Sequence, residues 1–270
     1  MVMGLGAMGW VVWSRGCGGR SVVAPFVDVV PRLAPDALAG TTIVLDPGHG
    51  GTDPGSMEGG VGEAALTYRM AATLREVFLA AGARVSTTVR AEGLSGALRE
   101  GVGEAPLALP RDAVFSVDGA PVKVDSVDHD HLYRRADVGA AAWRGRSPGE
   151  RVLFVSVHFD AVPATDVRGA AVRVDPRGEV PAVARQVSRW LVASGISGSR
   201  PVIGPQELGV LNPLRNPVPE RFLLELATLT DGADRASVMS SAWRWRAARA
   251  VAAAIAGIEP PAVGVRNDRN

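Results

Sequence analysis

Two hydrophobic periodicities take turns along this chain. Ile43, Val44 and Leu45 form a short apolar run that Asp46, Pro47 and Gly48 close, the pattern of a buried strand stopped at a turn. Leu66, Met70, Leu74, Val77, Phe78 and Ala81 then recur at helical spacing and make one apolar face, with Gly82 as the stop. Residues 84–89 alternate as a strand does. Strand, loop, helix, strand is the grammar of a parallel sheet in an α/β domain. Further on, residues 132–143 predict a short helix and residues 151–157 a second buried strand with His158 directly after it. A short strand is expected over 170–174 and a helix over 180–194 with Val183, Val187, Trp190 and Leu191 inward. Residues 221–226 predict a third apolar strand with one acid, Glu225, embedded in it, and residues 242–258 a closing helix.

Three stretches do not follow that rhythm. Residues 91–131 are rich in Gly, Pro and charge and read as an insertion on the domain surface, with a hairpin around Val117-Asp118-Gly119-Ala120. The insertion ends in Asp128-His129-Asp130-His131. Those residue types suit a metal cluster, but no rigid element is expected to hold them, so a solvated loop is the preferred reading. Residues 1–13 are apolar yet too short to span a bilayer, and the charges follow them instead of preceding them. They are expected to be an atypical export signal. Residues 21–40, with Pro25, Pro31 and Pro35, are expected to be a linker, and residues 259–270 a disordered tail. In Trp243-Arg244-Trp245-Arg246, helical spacing lets only one tryptophan face the core, which favours a packed helix end over a nucleic-acid or membrane patch.

Composition narrows the class. Over 270 residues, 47% hydrophobic and 21% charged content supports a full core. The formal net charge of +1 gives no bulk attraction for nucleic acid, and none is expected as a partner. Cys17 is the single cysteine, which excludes an internal disulfide and a cysteine-rich zinc site.

The candidate chemistry lies at the ends of the strands. His49 and His158 each follow a predicted strand, and Glu225 sits near the end of another; side chains at the carboxyl ends of strands in an open α/β sheet meet in one crevice. Glu63, at the first turn of the helix after the His49 loop, reaches the same rim. Each has a plain alternative: a turn histidine, a strand-end histidine, a helix-dipole carboxylate, a capped strand acid. Together, two imidazoles and one carboxylate make a catalytic zinc set with a position left for water, and a fourth group, a free carboxylate, supplies a base. The Gly48 to Gly55 loop lacks the Gly-Lys-Ser/Thr ending of a phosphate-binding loop, and Glu58 and Glu63 follow it, so phosphate is disfavoured.

Val44-Leu45-Asp46-Pro47-Gly48-His49-Gly50-Gly51-Thr52-Asp53-Pro54-Gly55 resembles the opening motif of the zinc-dependent N-acetylmuramoyl-L-alanine amidases, the third family of cell-wall amidases. Glu63-Ala64-Ala65-Leu66 is similar to the family's Glu-x-x-Leu helix start, and Leu132-Tyr133-Arg134-Arg135 to its Leu-x-x-Arg segment. Phe154-Val155-Ser156-Val157-His158 resembles Phe-Val-Ser-Ile-His, and Pro219-Glu220-Arg221-Phe222-Leu223-Leu224-Glu225 resembles the Pro-x-x-Leu-x-Glu strand. The resemblance covers about residues 41–257, apart from the insertion. It implies a single α/β domain over 41–258: a twisted, mostly parallel sheet of about six strands with helices on both faces. It also implies that His49, Glu63 and His158 bind Zn2+, that Glu225 is the catalytic carboxylate, and that the substrate is peptidoglycan, cut between the muramic acid lactyl group and L-alanine. Such a substrate places the protein outside the cytoplasm, in the periplasm or at the cell wall. A regulatory or cell-wall-binding protein partner fits the family but is not identified by the sequence. Departures surround the site: Phe159-Asp160 stands where the family has Ala-Asn, Thr88-Val89-Arg90 where it has Thr-Arg, and Ala227-Thr228 where it has Gly-Phe. They place the substrate contacts in a divergent branch. Two rival readings are a cell-wall-binding relative that has lost the chemistry and a zinc hydrolase of another amide.

Overall fold

The computed structural model describes residues 30–50, 53–90, 113–115, 121–122, 130–163, 167–196 and 203–261. In chain order the elements are β1 (Thr41–Pro47), β2 (Met57–Glu58), β3 (Val61–Gly62), α1 (Glu63–Ala80), β4 (Arg84–Thr87), β5 (Val89–Arg90), β6 (Ala113–Phe115) and β7 (Pro121–Val122). They continue with α2 (Asp130–Arg144), β8 (Arg151–Asp160), β9 (Ala171–Val174), α3 (Ala182–Ala193) and β10 (Ile203–Pro205). A 3₁₀ turn (Gly209–Leu211), β11 (Glu220–Thr228), α4 (Gly232–Met239) and α5 (Ser241–Ile255) complete the order.

Six strands make the main sheet, in the order β10-β9-β11-β8-β1-β4. Every neighbouring pair is parallel except β9 with β11. The expectation of a mostly parallel six-stranded sheet agrees with this topology. The central strands read as apolar runs because both of their faces are covered. Alternation along them sorts the two faces. Ile43, Leu45, Leu153, Val155, Val157, Phe222, Leu224 and Leu226 join the large core shared with residues of α1, α3 and α5. Val44, Phe154 and Leu223, pointing the other way, join a smaller cluster with Val210 and Leu211 of the 3₁₀ turn and with Leu132, Val138, Ala142 and Trp143 of α2. Along each central strand this second face turns polar toward the carboxyl end: Asp46 in β1, Ser156, His158 and Asp160 in β8, and Glu225 in β11.

Several local expectations need correction. β8 runs to Asp160, so His158 lies inside the strand, not after it. α2 begins two residues before Leu132, so Asp130 and His131 open a helix, while Asp128 and His129 fall outside the described residues. Trp243 and Trp245 both pack half-buried against the core, and it is Arg244 between them that is buried, donating to the Val238 and Met239 carbonyls. Helix α4 was not expected; Asp231 caps it by accepting from the backbone of Ala233 and Asp234 at 2.9 and 2.8 Å. Within the stretch read as a linker, Val30 and Leu38 are buried, and the Leu38 N–H donates to the Ala81 carbonyl at 2.8 Å. In the insertion, β6 and β7 pair antiparallel, Phe115 opposite Pro121, which is the expected hairpin, and β5 pairs with β6 to make a three-stranded sheet. The expected export signal (1–13) and most of the tail and insertion lie outside the described residues.

Candidate metal centre

The His49 loop is fixed from below by a buried charge network. Asp46 is fully buried at the end of β1. Its Oδ1 accepts from Arg135 Nη1 at 2.8 Å and from Thr88 Oγ1 at 2.5 Å, and its Oδ2 accepts from Ser156 Oγ at 2.6 Å. Burial alone raises a carboxyl pKa; here the Arg135 charge and the hydroxyl donors outweigh it and hold Asp46 ionised, below the usual range. Arg135 then reaches past Asp46 and donates to the carbonyls of Pro47 and His49. Among the described residues, His49 is the non-glycine with a positive φ, at 62°. Such a backbone is costly for a residue with a Cβ, and the surroundings must enforce it. Arg135 on its carbonyl, and the Gly48 N–H on the Val157 carbonyl at 2.9 Å, are two such restraints. From the other side, Thr67 Oγ1 of α1 donates to the Gly48 carbonyl at 2.7 Å.

The strand and helix termini bring three of the candidate residues together. Glu63, the first residue of α1, is only 4% exposed, which makes it a poor fit for a simple solvated dipole partner. Its Oε2 lies 3.1 Å from His49 Nε2 and its Oε1 lies 3.2 Å from His158 Nδ1. The Phe159 and Ser56 N–H groups donate to the same carboxylate at 2.9 and 3.2 Å. One nitrogen or oxygen from each of His49, Glu63 and His158 falls within 4.8 Å of the others, and the two imidazole rings stand edge to face at 4.8 Å. Glu225 is half-buried in β11, in direct register with His158 of β8. Adjacent strands are about 4.8 Å apart, and register partners in a parallel pair share a face, so the Glu225 side chain leaves β11 on the same face as that of His158.

The donor set suits a metal ion. Two imidazoles and a carboxylate are borderline ligands of the kind zinc takes in catalytic sites. His49 Nδ1 pairs with Asp53 Oδ2 at 2.8 Å, which fixes the ring and leaves Nε2 aimed at Glu63 and His158. A carboxylate behind a ligating histidine is the usual support for such a site. Asp53 is itself held by the Gly55 N–H at 2.9 Å. Two glycines make room for the rings. A Cβ on Gly48 would sit 2.2 Å from His158 Cε1 and 2.3 Å from its Nε2; one on Gly55, where φ is 65°, would sit 2.7 Å from the His49 ring. Gly48→Ala is therefore expected to push His158 aside and weaken zinc binding on the order of 10–100-fold, measured by competition with a chromophoric chelator.

Electrostatics complete the picture. Burial pulls the His49 pKa down, but Glu63 and Asp53 overcome it and raise it to about 9. Burial pushes Glu63 up, and the two histidines overcome that, holding it well below the usual carboxylate range. The ion-free cluster thus carries a proton on His49 at neutral pH, and a metal must displace it. Zinc uptake at pH 7 should release about one proton, read by calorimetry in buffers of different ionisation enthalpy. Affinity should rise with pH below about 9, because protons there compete with zinc for His49.

Sequence reasoning did not assign Asp46, Asp53, Arg135 or the two glycine cradles. Asp46 did leave a signal, an acid ending a fully apolar run, but its partner lies 89 residues away.

Residues 43–257 match the family model described as N-acetylmuramoyl-L-alanine amidase. Among solved structures, the AmiC2 amidase of Nostoc punctiforme is similar at 21% identity and a TM-score of 0.55, over 80% of this chain and 96% of its own. The apo Ami1 amidase of Mycobacterium abscessus is similar at 19% identity and 0.54, over 81% and 98%. The CwlD amidase of Clostridioides difficile, solved with the GerS lipoprotein, is similar at 18% and 0.55, over 79% and 95%. At these identities the likeness shows the shared fold. No curated protein matches the chain.

Proposed function

Because this chain belongs to the N-acetylmuramoyl-L-alanine amidase family, and so hydrolyses the amide between N-acetylmuramic acid and the L-alanine of peptidoglycan, we propose that it works as a zinc enzyme, with His49, Glu63 and His158 as the ligands and Glu225 as the catalytic carboxylate. The observation that carries this reading is the convergence of the three ligand groups, with Glu225 the register partner of His158. When bound, zinc there supplies a more acidic water and a positive contact for the amide oxygen. Glu225 takes the proton from the attacking water and returns it to the alanine nitrogen as the carbon–nitrogen bond breaks, so one group serves as base and then as acid. Asp53 holds the His49 ring, and Arg135 holds the loop that carries it. The substrate places the action outside the cytoplasmic membrane, in the periplasm or at the cell wall. The CwlD amidase solved in complex with the GerS lipoprotein gives a precedent for a protein partner.

The test is release of new L-alanine amino groups and free lactyl carboxyls from muramyl peptides. Release that stops with a chelator and returns with added zinc supports the reading. Release unaffected by metal removal would sink it. A panel of unrelated amides distinguishes a zinc hydrolase of another substrate.

A further inference from the structure

Most arginines near the sheet are well paired. Arg151 grips Glu220 through two contacts at 2.6 and 2.9 Å, and Arg221 donates to the Leu211 and Val218 carbonyls at 2.8 Å each. Arg177 binds Asp175 through two nitrogens at 2.5 and 2.9 Å. Arg173 is different. Its guanidinium makes one long contact, Nη2 to Asp160 Oδ2 at 3.4 Å, and its buried Nε has no hydrogen-bond partner. Three or more donors on a fixed, charged plane are therefore unused.

Its place on the sheet gives that guanidinium a purpose. Arg173 lies opposite Leu223 in the β9–β11 pair, while Val172 and Val174 point into the core on the other side. Arg173 therefore shares a face with Leu223 and Glu225, and with His158 and Asp160 on the next strand. It sits one strand beyond Glu225 and diagonal to it, on the same polar floor. Gly204 of β10 leaves the space beside it: a Cβ there would stand 2.7 Å from Arg173 Nη1. The Arg173 and Asp160 side chains are each a little over one-fifth exposed, so the pair is held in the fold yet reachable from solvent.

We propose that Arg173 is a specificity residue that binds a carboxylate of the stem peptide while the scissile amide lies against Glu225. This rests on the amidase reading for the identity of the substrate. The choice of stem peptide over glycan follows from charge: sugar hydroxyls and acetamides are neutral, whereas the residue after L-alanine carries an acid. A planar guanidinium with paired free donors is the best match for a carboxylate. Asp160, standing where the family has asparagine, competes for the same cation and tempers the affinity.

Two peptides test this: L-alanyl-γ-D-glutamyl-L-lysine and the same peptide with the glutamyl α-carboxyl amidated. Binding is measured by calorimetry on the zinc-loaded protein, and KM and kcat on the matching muramyl peptides. The acid form should bind the wild type on the order of tenfold more tightly than the amide. Arg173→Ala should abolish that preference with the loss appearing in KM, Arg173→Lys should keep part of it, and Asp160→Asn should enlarge it. Equal binding of both peptides by the wild type, or an equal loss for both in Arg173→Ala, would overturn the proposal. A charge preference without any turnover would keep the carboxylate site and discard the amidase chemistry. Turnover without a charge preference would do the reverse.

Discussion

Glu225→Gln should leave zinc bound and reduce peptidoglycan hydrolysis by roughly 10²–10⁴-fold, the usual range for losing a positioned acid–base group. The substitution keeps the shape of the side chain and its place in β11, across from His158. It removes the negative charge and, with it, the ability to take and return a proton. An amide has a weak electrophile and a poor leaving group, so both halves of the reaction need that proton. The loss should therefore fall on kcat and kcat/KM alike, with KM little changed. Metal content measured on the same preparation separates this outcome from loss of the ligand set. Near-normal turnover in Glu225→Gln would show that another group moves the proton.

Arg135→Ala should destabilise the fold by about 3–5 kcal/mol, because it leaves Asp46 as an unpaired buried charge. Asp46 keeps the Thr88 and Ser156 hydroxyls, which soften the loss but carry no formal charge. The same variant frees the Pro47 and His49 carbonyls and relaxes the restraint on the positive φ of His49. Reduced zinc affinity should therefore accompany the fall in stability. Denaturant unfolding and a zinc titration read the two effects independently. Replacing Asp46 with Asn in the Arg135→Ala background removes the buried charge and should recover part of the stability without restoring the loop.

Much of this architecture was legible because burial imposes a period. Leu66, Met70, Leu74, Val77 and Phe78 mark α1, and Val183, Val187, Trp190 and Leu191 mark α3; all nine are buried as their spacing requires. The runs in β1, β8 and β11 are apolar because helices cover both faces, and that same feature hides which residue points where. The faces become clear only when the strands are in register, which is how Glu225 comes to stand opposite His158. β10, with three residues, is too short to leave a periodic trace, and the antiparallel direction of β9 depends on a connection whose path the pattern does not encode. Trp243 and Trp245 show the limit of a helical wheel: both can lie at the margin of a core while the arginine between them fills its carbonyl partners. The ligand candidates were legible through loop chemistry and family resemblance. Their supports were not, since Asp46 with Arg135, and Gly48 with His158, are contacts between residues roughly a hundred positions apart.

Metal analysis of the purified protein decides whether His49, Glu63 and His158 hold a zinc ion. One zinc per chain, retained by Glu225→Gln and lost from alanine variants of His49, Glu63 and His158, is the expected result. A wild type that takes up no divalent ion, or alanine variants that hold zinc as firmly as the wild type, would contradict it.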